Sequence, residues 1–244
     1  MTGDGEEHVI EVGGVDRDVL DLDAGLLEGR EQPAQRRYFA VVGHLQHQPL
    51  LVELGAVEQI DLAFRLAREY APQAQLVYND YMRGDAGSAR HRAGVLSLLA
   101  ELKKRGTPVG ALGLQSHIGS WDETDRGRAD LVEWRKFLDE VSAMGYGLLI
   151  TELDVNDRRL PADIAKRDAG VAAATRDYLD VTLSYPRLRD SLVWGLADNV
   201  SGLQTWDEAP RKDKLQMRPT PFDDHLKAKP MRQADWPPHR PGQQ

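Results

Sequence analysis

The stretch GYGLLITELDVND, residues 145–157, sets two carboxylates two positions apart, Glu152 and Asp154. They follow an apolar run with the composition of a buried strand. Strand side chains alternate between faces, so Glu152 and Asp154 share one. Two carboxylates on one face can divide nucleophilic and acid–base work, or steady a third group between them. An acidic pair at a strand end is, by itself, more often the start of a solvated loop.

Three other positions add to the pair. ALGLQSH closes on His117, whose ordinary pKa lies close to neutrality. QLVYND closes on Asn79 and Asp80, and DSLVWGLAD carries Trp194. Each has a plain reading taken singly: a structural histidine, a turn signal, a core aromatic. Taken as a set, four successive apolar segments deliver a polar or aromatic group at the same end. That is how barrel enzymes gather a site.

The elements that would position these groups alternate regularly. VEQIDLAFRLAREYAP places Ile60, Ala63, Phe64 and Ala67 at helical spacing, with Pro72 as a stop. QLVYND, ALGLQSH, GYGLLITELD and DSLVWGLAD read as strands. SARHRAGVLSLLAELKKRG, RADLVEWRKFLDEVSAMG and PADIAKRDAGVAAATRDYLDVTLSYP read as the helices between them, the first closed by Gly106. The strand ends fall near Asn79, His117, Glu152 and Trp194, roughly 35–42 residues apart. Strands alternating with helices predict an α/β fold with a parallel sheet. Polar strand ends favour a (β/α)8 TIM-barrel type over an open doubly wound sheet, and no glycine-rich phosphate loop supports the latter.

Four units occupy about residues 75 to 205, whereas a full barrel at that spacing needs on the order of 300 residues. The expectation is therefore an incomplete barrel, about its fifth to eighth strands with their helices. Residues 1–52 are expected to be irregular or foreign, with short strands at Val9–Val12 and Tyr38–Val42. The barrel portion is placed at 53–234, and a disordered proline-rich tail at 235–244.

Composition removes whole classes of function. The chain has 244 residues, 41% of them apolar, and a formal net charge of −8. An acidic chain is a poor match for nucleic acid, which selects a basic face. There is no cysteine, so disulfides and thiolate chemistry are absent. No G-x-S-x-G elbow and no H-E-x-x-H helix occur; His44 and His47 read as surface residues. No metal and no cofactor are expected. No apolar run is long enough to span a membrane, and MTGDGEEH lacks the basic start of a secretory signal. A sugar isomerase or aldolase of the same architecture would want a lysine or metal ligands at the strand ends, where none occurs.

YNDY (78–81), GLQSH (113–117), ITELD (150–154) and VWGLAD (193–198) resemble, in order and spacing, the motifs of family 10 glycoside hydrolases. RPTPFDDHLKAKP (218–230) is similar to that family's segment after the last strand. These are retaining endo-β-1,4-xylanases, usually secreted or periplasmic. The resemblance implies Glu152 as nucleophile, His117 beside it, and Asp154 supporting the histidine. It implies Asn79, Gln115 and Trp194 as residues lining the sugar site, and xylan or xylo-oligosaccharide as substrate. Gly202 stands where the family has tryptophan, and Trp206 is the nearby aromatic that can partly replace it. The family's acid/base glutamate follows an asparagine upstream of Y-N-D-Y. Here the first asparagine is Asn79, and Glu28, Glu31 and Glu53 lie in none of the expected context. The acid/base residue is thus unassigned, and impaired catalysis is expected. The alternative is a non-catalytic carbohydrate-binding remnant or a non-functional fragment.

Overall fold

A computed structural model of the chain describes residues 8–12, 38–42, 55–119, 130–206 and 210–235. Glu28, Glu31, Glu53, His44, His47 and residues 236–244 of the tail lie outside them. The chain divides into two compact units, Met1–Asp80 with Ser97–Gly113, and Tyr81–Leu96 with Leu114–Gln244.

In the first unit, β1 (His8–Val12), β2 (Tyr38–Val42) and β3 (Gln75–Asp80) form parallel neighbours. Val9–Val12 and Tyr38–Val42, the two short strands of the N-terminal stretch, pair with each other in register from His8↔Tyr38 to Val12↔Val42. The α1 helix (Ala56–Tyr70) turns its apolar stripe inward through Ala63 and Phe64. Its end is held by Arg68, which donates to the carbonyls of Pro72 and Ala74. The α2 helix (Ala89–Arg105) buries Leu99 and Leu102 and stops at Gly106, whose φ of 66° is the left-handed value a helix terminus favours. The chain then enters β4 (Ala111–Leu114) beside β3, the Gly110 amide donating to the Leu76 carbonyl at 2.9 Å.

In the second unit, β6 (Gly147–Asn156) is central. It pairs in parallel with β5 (His117–Gly119) on one side and β7 (Leu188–Val193) on the other. The α3 helix (Leu131–Ala143) starts at Asp130, whose carboxylate accepts from the amides of Val132 and Glu133. It buries Trp134, Phe137, Leu138 and Val141. The α4 helix (Ile164–Thr182) is capped in the same way by Asp163. Both caps use an acidic oxygen to satisfy amides that have no partner within the helix. Leu148, Ile150 and Leu153 of β6 are fully buried, each worth about 1.5–3 kcal/mol of apolar transfer. A short helix, α5 (Pro230–Asp235), closes the described chain.

Three expected strand limits move. Glu152 lies inside β6, because β5 pairs with Asp154–Asn156 and carries the strand four residues further. His117 begins a strand where the sequence pattern placed an end. Ser116 has φ 63°, which breaks the extended run between β4 and β5. The last segment also shifts: β7 begins at Leu188 and stops at Val193, leaving Trp194 just beyond it.

Candidate active site

The register of β5 on β6 creates the site. His117 lies opposite Asp154, so the imidazole sits over the face on which Glu152 and Asp154 alternate. Its Nδ1 is 2.9 Å from Asp154 Oδ1 and its Nε2 is 3.2 Å from Glu152 Oε2. The Asp154 side chain is 2% exposed, against 15% for Glu152 and 24% for His117. Asp154 therefore anchors the ring from below, and Glu152 stands at the more open side.

Burial works against a charge on His117, but the hydrogen bonds to Asp154 and Glu152 outweigh it and hold the ring's pKa up at about 9. At neutral pH the imidazolium donates from both nitrogens, one to each carboxylate. Asp154 is pushed up by burial and drawn back by His117. The bond from His117 takes Glu152 Oε2, so the rotamer of the glutamate is set and Oε1 is the oxygen not bound by the ring. A carboxylate oriented in this way can act as a nucleophile without first having to find its geometry.

Gly119 keeps β5 in place. A Cβ there would lie 2.4 Å from the Asn156 carbonyl oxygen, and its φ is 108°. Only glycine allows β5 to approach β6 so closely and thereby bring His117 to Glu152.

The remaining sequence-derived residues fall as follows. The Trp194 amide donates to the Leu153 carbonyl at 3.0 Å, which places Trp194 beside the residue between Glu152 and Asp154. Its side chain leaves it 47% exposed, an apolar plate facing solvent. Trp206 is 46% exposed, and a Cβ added to Gly202 would meet no atom within 4 Å. Gln115 is half-buried two residues before His117, in the break between β4 and β5. Asn79 is buried near the end of β3, in the first unit.

Sequence reasoning missed the polar frame behind the site. Asp157, one residue past β6, is fully buried, with Arg167 Nε 3.1 Å and Arg211 Nη1 3.7 Å away. Arg218 grips Asp168 through two bonds of 2.6 and 2.8 Å. Lys229 donates to both oxygens of Asp198 at 2.7 and 2.9 Å. Burial draws the Lys229 pKa down, and Asp198 opposes it. These pairs tie the connections after β6 and β7 to the segment 211–229. The only sequence signal was that Asp198, Arg218 and Lys229 stand inside motif segments already quoted.

The model of glycosyl hydrolase family 10 matches residues 37–235. The chain belongs to glycosyl hydrolase family 10. The match starts at residue 37, ahead of the 53 expected from the motifs alone, and takes in β2. Endo-1,4-beta-xylanase A of Caldicellulosiruptor saccharolyticus is 32% identical over 171 residues, which are 64% of this chain and 46% of that one. Endo-1,4-beta-xylanase C of Paenibacillus barcinonensis is 30% identical over 181 residues, 71% of this chain and 16% of that one. A thermostable mutant of a xylanase from Cellvibrio japonicus superposes with a TM-score of 0.61 at 27% identity, covering 73% of this chain and 53% of the other. A xylanase of Thermotoga petrophila solved in complex with xylobiose gives 0.65 at 25% identity, covering 80% and 57%. The chain thus spans about half or less of these relatives. Its fold is the α/β TIM-barrel type of family 10, in part.

Proposed function

We propose that the cluster of His117, Glu152 and Asp154 is the nucleophile side of a retaining endo-β-1,4-xylanase site, acting on xylan or xylo-oligosaccharide. The observation that carries the reading is the imidazole of His117 bonded at once to Glu152 and Asp154. Glu152 attacks the anomeric carbon, the leaving sugar oxygen departs, and the glycosyl ester on Glu152 is then hydrolysed. His117 holds Glu152 oriented through the bond to its Oε2. Trp194, and Trp206 in place of a tryptophan at Gly202, offer flat apolar faces to sugar rings. Gln115 is the polar candidate for sugar hydroxyls.

A retaining enzyme also needs a second carboxyl roughly 5–5.5 Å from the first to protonate the leaving oxygen. The family's acid/base glutamate follows an asparagine, and no asparagine precedes Asn79. We therefore propose that this chain hydrolyses natural xylan slowly, while a substrate whose leaving group needs no proton reacts faster.

The test uses dinitrophenyl β-xylobioside beside xylan. The expected result is a burst of dinitrophenolate and a mass increase of one xylobiosyl group on the peptide holding Glu152, both lost in Glu152→Gln. Labelling elsewhere, or equal turnover in Glu152→Gln, overturns the assignment. Binding of xylobiose with no burst would favour the carbohydrate-binding alternative.

A further inference from the structure

Ser116 is the residue that breaks the strand and turns the chain into His117. It is 1% exposed and holds a left-handed φ of 63° without being glycine. That conformation is unfavourable for an ordinary residue, so the surroundings must hold it. Its Oγ lies 3.0 Å from the Leu114 carbonyl and 2.7 Å from the phenol of Tyr178 on α4. A serine has one proton to give. With that proton on the Leu114 carbonyl, Tyr178 is the donor to Ser116. Burial drives the Tyr178 phenol upward, so it keeps its proton throughout the working pH range.

The Leu114 carbonyl accepts a second bond, from Thr151 Oγ1 at 3.2 Å. Ser116 precedes His117, and Thr151 precedes Glu152. One carbonyl therefore joins the residues immediately before both members of the His117–Glu152 bond. On the far side, Tyr178 is itself fixed. Its ring lies 5.7 Å from the ring of Trp134, and Trp134 Nε1 donates to Thr182 Oγ1, one helical turn beyond Tyr178 on α4.

We infer that Tyr178, acting through Ser116, is a positioning residue that aims His117 at Glu152, with Thr151 completing the tie through the Leu114 carbonyl. The inference rests on the reading of Glu152 as nucleophile, and it assigns that site its support. Neither Tyr178 nor Ser116 touches substrate in this account. Tyr178→Phe keeps the ring and removes the one hydroxyl. Ser116→Gly keeps the left-handed backbone and removes the other.

The readout is the titration of the His117 ring followed by 15N NMR, which requires no substrate. Failure of this inference is thus distinct from failure of the hydrolase reading. In both variants the midpoint falls from its wild-type value by about half a pH unit or more, because a misaimed imidazolium loses part of its bond to Glu152. Tyr185→Phe, which removes a phenol bonded to Arg135 and Asp139, leaves the midpoint unchanged. A fall in one variant alone, in neither, or equally in Tyr185→Phe overturns the inference. Should Tyr178→Phe not fold, Ser116→Gly and Thr151→Val decide in its place, by the same criterion.

Discussion

Raising the pH from about 6.5 to 9.5 removes one of the two protons through which His117 binds Glu152 and Asp154, and the fold loses stability as it goes. The ring's pKa is 6.5 when unperturbed and about 9 in the folded chain. A folded value above the unfolded one means that the folded state binds the proton more tightly. The stabilisation is therefore complete below about 6.5 and vanishes as pH rises through about 9. At 1.36 kcal/mol per pH unit the difference amounts to about 3 kcal/mol, an upper value because the ring is 24% exposed and partly screened. The assay is urea unfolding by circular dichroism at half-unit steps across this range. His117→Gln, measured in parallel, subtracts every other group that titrates there. Expected is a decline of about 2–3 kcal/mol in the wild type that the variant lacks. A flat wild-type profile, or an equal slope in the variant, refutes the double hydrogen bond as the source of the raised pKa.

Gly119→Ala forces a Cβ against the Asn156 backbone in a left-handed conformation, and is expected to lower stability by about 2–4 kcal/mol; an unchanged melting temperature would contradict the tight β5–β6 pairing. Lys229→Met leaves buried Asp198 with only the more distant Arg218 at 3.6 Å, with an expected loss of about 3 kcal/mol in urea unfolding; a neutral result would mean the pair carries no support. Gly202→Trp fills open space with the aromatic wall usual in the family, and calorimetry with xylobiose should show tighter binding by about fivefold, roughly one aromatic contact. No gain there would place Gly202 away from the sugar path.

Much of the frame was legible because it is local. The apolar 3.6-residue stripe of RADLVEWRKFLDEVSAMG announces α3, and Gly106 after KKR announces the end of α2. Glu152 and Asp154 share a face because any strand alternates, and the run of apolar segments ending in polar groups pointed to a parallel α/β fold. Composition likewise removed thiol chemistry outright.

Other features depended on contacts that no window of sequence contains. His117 meets Glu152 across 35 positions, Ser116 meets Tyr178 across 62, and Lys229 meets Asp198 across 31. Whether Glu152 ends a strand or lies within one was decided by β5 adding itself to Asp154–Asn156, an event outside β6. The left-handed turn at Ser116 is invisible to propensity, since serine disfavours it and only a buried phenol and two carbonyl-bound hydroxyls make it stable. Residue types and their periodicity follow from the chain itself. Charge on His117 follows from which carboxylates the fold sets against it, and only packing supplies that.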